Sequence, residues 1–528
     1  MLAHLNGKPG DPLDVIAAGE DRHVYAWQPS PTNLSGAALP GFPVLLVDPD
    51  KVTAVDPTTD HLTFSTTKAK PDPGIDEDQG KIIDTPAVAD IGGKPSIIVG
   101  SNEEYGVNTG DEGGINAGDL TSASLGLLGQ TGVLSFANGR VYAIKPTGGR
   151  MECSGGTCQS AAFEPGWPKK VGIIDAGLLP DVGEGINGSP VAAPLTCPQG
   201  GSGTKIGVTP DAGPAYIFNP DGSSCYGKDQ SGHDNTLETD FSQGHGQYDH
   251  PAFAAVGYPA FGTLDGSTTT FFTPITGLIR ALDVALNDYQ GGQDFIGAWN
   301  PTSAQQLPGF PAEVNDLQFL TGPVVGQIAQ GPGQQVIGGT ASMDLAAFNA
   351  AGLPASSAWP KLTGDWTVAT PALGSFGTLD TGAGADKDVV SLTRSGTLSI
   401  YSTPAPACSP SSSPRFHHDD WNSGDYTTDA VPPGKPYGAR VSSGVLSFTA
   451  PGGDLLCGTA RSYQVVTSSV PITPQSFAAA TPLAGAPVPA TAGSRQTFTL
   501  PAGTKAYVAI RAVDEAGNVG LPAVVKVP

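Results

Sequence analysis

Short apolar runs, rich in Val, Ile, Ala and Tyr, are separated by turn residues along most of this 528-residue chain. Gly (72 residues) and Pro (49 residues) punctuate the runs instead of replacing them. Apolar runs of this length bounded by Gly, Pro, Asn and Asp are typical of strands joined by turns. The pattern therefore predicts an all-β protein. Because 528 residues exceed what one hydrophobic core supports, two or more folding units are expected.

One composite pattern recurs over residues 1–402. A Pro-led strand of small residues precedes a Gly/Asp turn, an Ile/Val-rich strand ending in Gly, a strand with aromatic residues and often a Gly-Phe/Trp-Pro motif. The clearest copy comprises residues 85–90, 96–100, 140–144 and 166–168. Other copies begin near Asp14, Ser189, Tyr258, Gly322 and Thr370.

The spacing of the repeats predicts a β-propeller. Pro323 and Pro371, at equivalent positions of two copies, are 48 residues apart, and a four-stranded blade needs about 40–50 residues. Small side chains suit strands crowded around an axis, whereas outer strands accept aromatic residues. We expect about six to seven four-stranded blades, the first incomplete. A parallel β-helix is the alternative, but its rungs are shorter and lack the aromatic strand.

These repeats resemble the FG-GAP/VCBS-type propellers of secreted bacterial proteins, which are similar to the integrin-α head. The resemblance covers roughly 400 residues and assigns residues 1–425 to the propeller. It implies calcium loops built from carboxylates around a Gly. The best retained set is Asp380, Asp386 and Asp388, followed by Asn6, Asp11 and Asp14. The alternative is a turn whose Asp serves only backbone hydrogen bonds.

Residues 431–528 have a different pattern, with period-two alternation in several runs. The run 506–513 leads into Asp514-Glu515-Ala516-Gly517-Asn518. This segment resembles the last hairpin of a fibronectin type III domain, and about 95 residues suit such a β-sandwich. Phe448 lies where that family has a Trp. The Pro/Ser-rich residues 408–415 are predicted to be a linker between the two domains.

Composition and charge favour an extracellular or cell-surface protein. Only 14% of residues are charged, against about 25% in an average soluble domain. The net charge of −23 disfavours nucleic acid as a partner, and no apolar run is long enough to span a membrane. No signal peptide is present, and the first residues resemble the middle of a repeat, so we expect the chain to be truncated at its N-terminus.

Six cysteines occur as near neighbours in sequence. Three disulfides are expected from Cys153 with Cys158, Cys197 with Cys225, and Cys408 with Cys457. Such pairs are typical of an oxidising compartment. A zinc site is the alternative, although the sequence has no CxxC and no Cys/His pair at finger spacing.

Two histidine groups and two long insertions are further candidates for a site. His233, His245 and His250 lie in an acidic stretch, but their spacing matches no metal motif; His417 and His418 precede Asp419, Asp420 and Trp421, where structural packing is the alternative. Residues 102–138 and 226–252 are predicted to emerge on one face of the propeller, where ligands commonly bind.

No catalytic motif is evident, since GxSxG elbows and sialidase-like boxes are absent. We therefore expect a non-catalytic binding or adhesion module without a cofactor other than calcium. The propeller would recognise a cell-surface protein or glycan, and the sandwich would act as a spacer. The alternatives are a polysaccharide lyase or hydrolase on a propeller, a quinoprotein-like dehydrogenase, and a purely structural spacer.

Overall fold

A computed structural model describes residues 1–8, 11–29, 36–69, 80–103, 139–172, 185–210, 214–228, 230, 232, 234–237, 257–275, 294–318, 320–375 and 386–528. Over these residues the fold is all-β, as predicted, with one turn of 3₁₀ helix at Phe477–Ala479. The chain forms two compact units. The first contains Met1–Leu373, Val389–Tyr401 and Pro410–Thr428, and the second contains Gly374–Asp388, Ser402–Ser409 and Asp429–Pro528.

In the described part of residues 1–406, six antiparallel sheets of three to five strands follow one another, together with two two-stranded hairpins, and most strands pair with their sequence neighbours. The first sheet contains β1 (Leu2–Ala3), β2 (Asp14–Ala18), β3 (His23–Trp27) and β4 (Val44–Leu45), and a hairpin of β5 (Val52–Val55) and β6 (Leu62–Phe64) follows it. The second contains β7 (Ala87–Asp90), β8 (Pro95–Ser101), β9 (Gly139–Ile144) and, after the hairpin of β10 (Met151–Ser154) and β11 (Thr157–Ser160), β12 (Lys169–Val171).

The remaining four sheets have the same sequential order, except that the last strand of the fourth sheet, β20, pairs with β18. The third contains β13 (Val191–Cys197), β14 (Gly201–Val208) and β15 (Tyr216–Phe218), and the fourth contains β16 (Ala260–Gly262), β17 (Thr270–Ile275), β18 (Asp294–Asn300), β19 (Gln305–Gln306) and β20 (Ala312–Val314). The fifth contains β21 (Val324–Gly326), β22 (Gln335–Gly339), β23 (Asp344–Phe348) and β24 (Lys361–Leu362). The sixth contains β25 (Ala372–Gly374), β26 (Asp386–Leu392) and β27 (Leu398–Pro406), whose residues divide between the two units. The third and sixth sheets have three described strands instead of the four expected.

Residues Pro410–Thr428 contact the first strand of each of these six sheets. We call them the shared segment. The backbone N–H groups of Leu2, Val88, Ala192, Val325 and Leu373 donate to its carbonyl oxygens over 2.7–2.8 Å. At the fourth sheet, the ring of Phe261 meets that of Tyr426 edge to face at 5.6 Å. The residues predicted to be a Pro/Ser linker are therefore partly packed into the first unit. These hydrogen bonds satisfy backbone N–H groups that burial would otherwise leave without a partner.

The Gly-Phe/Trp-Pro motif joins consecutive sheets. Gly166 has φ +90°, and a Cβ there would lie 2.0 Å from the carbonyl oxygen of Asp221, in the turn that follows β15 of the third sheet. A Cβ at Gly41 would lie 2.1 Å from the Thr147 carbonyl oxygen, and a Cβ at Gly309 would lie 2.0 Å from the Ala351 carbonyl oxygen. Only Gly permits this conformation together with so close a backbone contact. The motif recurs because each copy places a turn against its neighbour.

The second unit contains two antiparallel sheets around one core. Its strands are β28 (Tyr437–Ser442), β29 (Val445–Thr449), β30 (Ser462–Ser468), β31 (Thr481–Pro482), β32 (Arg495–Thr499), β33 (Tyr507–Val513) and β34 (Ala523–Lys526). The sheet orders are β28-β29-β32 and β31-β30-β33-β34. Phe448, from one sheet, meets Tyr463, from the other, edge to face at 5.1 Å. Burial alternates along β29, as the period-two pattern predicts.

Three disulfides are present, joining Cys153 to Cys158, Cys197 to Cys225, and Cys408 to Cys457. Disulfides of this number are typical of proteins in an oxidising compartment. In the part of the chain that the structure describes, no helix is long and apolar enough to cross a membrane.

Candidate functional site

A polar cleft of about 700 Å³ lies within the first unit. Three consecutive sheets contribute to it. Asp48 and Asp50 follow β4, Arg140 comes from β9, and the hairpin strand β11 and the residues around Trp167 form one wall. Lys228 and Asp234, which follow the third sheet, complete the lining. The cleft is thus assembled from residues far apart in sequence.

A buried network of charges holds the Arg140 side of the cleft. Arg140 Nε donates to Asp48 Oδ2 over 2.8 Å, and the Asp48 N–H donates to Glu103 Oε1 over 3.2 Å. Glu103, itself buried, accepts a 2.5 Å hydrogen bond from the Tyr142 hydroxyl and lies 3.8 Å from Arg22. Burial raises the pKa of Glu103, while Arg22 and Tyr142 oppose that rise. Because each side chain restrains the next, Arg140 has a fixed orientation.

The opposite side of the cleft has two lysines around one carboxylate. Lys169 Nζ lies 3.5 Å from Asp234 Oδ2, and Lys228 Nζ lies 3.9 Å from Asp234 Oδ1. The Asp234 side chain is buried, whereas the Lys228 side chain is 57% exposed. An exposed ion pair at this distance contributes little to stability, so Lys228 remains able to contact a ligand.

Behind this side, aromatic packing and hydrogen bonds fix the wall. Trp167 Nε1 donates to the carbonyl oxygen of Pro220 over 2.9 Å, and its ring meets Phe218 edge to face at 5.7 Å. Glu164 accepts a 2.8 Å hydrogen bond from Ser96 Oγ. Both side chains are mostly buried, so the wall is formed before any ligand arrives.

The described lining offers donors and acceptors for hydroxyl groups. Three of its four carboxylates already accept hydrogen bonds or pair with cations, and no described histidine or free cysteine lines it. Nucleophilic catalysis by Thr157 or Ser160 would need a base within hydrogen-bond reach. Alternating cations and carboxylates instead offer donors and acceptors to a polar ligand.

The calcium positions predicted from sequence are partly described. Asn6 Nδ2 donates to Asp11 Oδ2 over 2.8 Å, but Asp14 uses its two oxygens to accept from the Leu5 N–H and from Gln28. Asp14 therefore has a structural role, because its hydrogen bonds hold Leu5 and Gln28 in place. The other set lies on β26, where Asp386 is exposed and Asp388 accepts a 2.7 Å hydrogen bond from Ser402. Asp380 lies outside the described residues.

The predicted histidine loop and both insertions fall largely outside the described residues. His233, His245, His250 and residues 104–138 are among those not described, while Asp234 of this loop belongs to the cleft. The cleft itself was missed by sequence reasoning. The one available signal was the Lys169-Lys170 pair directly after Gly166-Trp167-Pro168, in a chain with only 26 basic residues.

His417 lies buried within the shared segment, between two carbonyl oxygens. Its Nδ1 is 3.0 Å from the Asn422 oxygen, and its Nε2 is 2.8 Å from the Pro190 oxygen. Burial lowers its pKa to about 4, although the two carbonyls oppose that shift. His418 stacks on Tyr426 with ring centroids 4.4 Å apart, and Trp421 meets His4 edge to face. These contacts give the histidine pair a packing role.

Comparison with known proteins identifies no family. No family model matches the chain, and no curated protein matches it. Among solved structures, BBS1N in complex with ARL6DN is 10% identical, with 77% of this chain and 81% of that chain covered and a TM-score of 0.31. The quinohemoprotein alcohol dehydrogenase ADHIIG from Pseudomonas putida HK5 is 12% identical, with 74% and 62% covered and a TM-score of 0.32. Scores this low establish neither a shared fold nor a shared activity.

Proposed function

We propose that this protein is a secreted or cell-surface binding module whose first unit recognises an oligosaccharide in the polar cleft. The observation that carries the proposal is the cleft itself: about 700 Å³, with Arg140, Lys169 and Lys228 set among carboxylates. Ligand sites usually are preformed concavities with a few placed polar groups. A sugar presents hydroxyls that both donate and accept, which this mixed lining matches.

The proposed architecture is a β-propeller of six blades around the shared segment, followed by a fibronectin type III-like sandwich acting as a spacer. Support comes from the first strands of all six sheets, which contact one segment of nineteen residues, Pro410–Thr428. Strands that all contact one short segment must lie close to one axis. Propellers place binding residues on loops at a rigid rim, and three consecutive sheets contribute to the cleft.

The location outside the cytoplasm is part of the same proposal. Three disulfides are present, and only 14% of the residues are charged. Disulfides are typical of chains that mature in an oxidising compartment, and we take the sparse charge as a feature of the same secreted protein.

The test is binding of the full chain to an array of cell-surface oligosaccharides, followed by calorimetry with the best ligand. Lys228→Met removes an exposed ammonium from the cleft, and we expect affinity to fall about ten-fold, the value of one charge-assisted hydrogen bond. Lys94→Met is the matched control, because Lys94 is exposed in the turn between β7 and β8 and does not line the cleft.

Three outcomes would reject the proposal. The first is no oligosaccharide binding by the wild-type chain, as expected of a structural spacer. The second is an equal loss of affinity in Lys94→Met and Lys228→Met. The third is release of shortened products from a polysaccharide, which would indicate a lyase or hydrolase instead.

A further inference from the structure

Three aspartates from separate segments meet at one place in the second unit. Asp429 begins the segment that leads into β28, Asp454 lies in the loop between β29 and β30, and Asp514 directly follows β33. One carboxylate oxygen of each lies within 4.8 Å of the others. The aspartates are 25 and 60 residues apart along the chain, so tertiary structure alone brings them together.

Hydrogen bonds to backbone carbonyl oxygens hold the three segments together. The Leu455 N–H donates to the Pro432 oxygen over 3.0 Å, and the Gly434 N–H donates to the Leu455 oxygen over 2.7 Å. Asn518 Nδ2 donates to the backbone carbonyl oxygen of Asp429 over 2.8 Å. These bonds keep the backbones of the three segments close together.

The side chain of Asp514 provides the evidence that the cluster binds a ligand. Its side chain is fully buried, at 0% exposure. Oδ1 accepts a 2.7 Å hydrogen bond from the Asn518 N–H, but Oδ2 has no hydrogen-bond partner. A buried carboxylate oxygen without a partner is unfavourable, because burial removes its hydration and no protein group replaces it. A cation bound at this place would remove that cost.

The surroundings of Asp454 are negative. Its pKa is raised to about 6, first by partial desolvation of the carboxylate and then by repulsion from Asp429, Glu515 and Asp514. No described lysine or arginine forms an ion pair with Asp454 or Asp514. Among the described residues, no ion pair with a lysine or arginine thus balances the charge of Asp454 or Asp514.

We propose that Asp429, Asp454 and Asp514 bind a calcium ion. Calcium–oxygen distances are about 2.3–2.6 Å, so oxygens within 4.8 Å of one another can share one ion. The set contains only oxygen ligands, which favours calcium over zinc, because zinc prefers nitrogen and sulfur. This site is distinct from the turn carboxylates that the FG-GAP resemblance implies, and it does not depend on the proposed oligosaccharide cleft.

The experiment uses the full chain in EDTA, in millimolar CaCl₂ and in NaCl of equal ionic strength. We expect binding of one ion, with a dissociation constant of about 10⁻⁴–10⁻³ M, typical of extracellular sites. The melting temperature should rise in CaCl₂ and not in NaCl. Calorimetric titration with CaCl₂ measures the stoichiometry directly.

Asp454→Asn is the test variant, because Asp454 is exposed and its replacement leaves the core intact. It should lose the response to CaCl₂ and, in EDTA, melt at a higher temperature than wild type, because one repelling charge is removed. Asp386→Asn is the comparison variant: it makes the same change at an exposed carboxylate of the same unit, in the set that the FG-GAP resemblance implies, and it should keep the calcium response because the ion is bound by the three clustered aspartates.

The proposal is wrong if wild type does not respond to CaCl₂ beyond the NaCl control. It is also wrong if Asp454→Asn keeps the full response, or if Asp386→Asn loses it. Either of these last two results would assign the ion to another place.

Discussion

His417 is expected to make the first unit sensitive to mild acid. It is only 5% exposed, and burial lowers its pKa to about 4 from an ordinary value of about 6.5. The histidine is neutral when the protein is folded at neutral pH, whereas in the unfolded chain it takes up a proton below about pH 6.5. Both ring nitrogens face carbonyl oxygens, which a protonated ring could also contact, so the cost of protonation in the folded state comes from burial of the charge.

The sign and size follow from proton linkage. Because the folded pKa is lower than the unfolded one, the unfolded state binds more protons, and stability is lost as pH falls from about 6.5 toward 4. The loss between pH 7 and pH 5 is about 2 kcal/mol, and it approaches about 3 kcal/mol below pH 4. Burial raises the pKa of Asp419 and Asp425 in the same segment, so these two groups act in the opposite direction. A comparison of variants is therefore needed to isolate His417.

The assay is urea denaturation of wild type and His417→Asn at pH 7 and pH 5. Asn is chosen because the backbone at this position has φ +56°, which Asn tolerates better than most residues, and because its amide can replace the Nδ1 contact. Wild type should lose about 2 kcal/mol more than the variant over this pH interval. His61→Asn, at an exposed histidine, should behave as wild type. Equal losses in wild type and His417→Asn would refute the reasoning.

Two further predictions concern the contact between sheets and the disulfide of the second unit. Gly309→Ala should lower the free energy of unfolding by about 3 kcal/mol or more, because the left-handed backbone costs about 1 kcal/mol and the clash with the Ala351 oxygen adds to it. Gly266 has φ +80° and no atom within 4 Å of the new Cβ, so Gly266→Ala should lose only the backbone contribution of about 1 kcal/mol. Calorimetric melting of the two variants measures the difference, and equal losses would contradict the steric argument. Replacing Cys408 and Cys457 by Ser, 49 residues apart, should destabilise the second unit by about 4 kcal/mol through the entropy of the unfolded chain. An unchanged melting transition of that unit would contradict this estimate.

Local pattern was sufficient for the strands. The run 85–90 predicts a strand of small residues, and β7 (Ala87–Asp90) lies there with its three apolar residues buried. Alternation along residues 445–449 likewise predicts β29 and its buried Leu446 and Phe448. Period two and the flanking turn residues are properties of a few consecutive residues, so the sequence carries them directly.

Composition was misleading for residues 408–415. Their Pro and Ser content is typical of a solvated linker, yet Ser413 exchanges backbone hydrogen bonds with Val325 over 2.7 and 3.0 Å. A segment that lacks its own secondary structure can still be ordered when strands elsewhere in the chain supply its partners. Nothing within the segment reports that such partners exist.

The all-β class and the bounds of many strands were thus determined by the sequence alone, because they depend on neighbours within a few residues. The cleft and the aspartate cluster were decided only by tertiary structure. Asp48 and Asp234 line one cleft, and Asp429 and Asp514 lie within 4.8 Å through one oxygen each, although long stretches of chain separate the members of each pair. Long-range pairing of strands sets these distances, and no periodicity or spacing along the chain encodes which turns will meet.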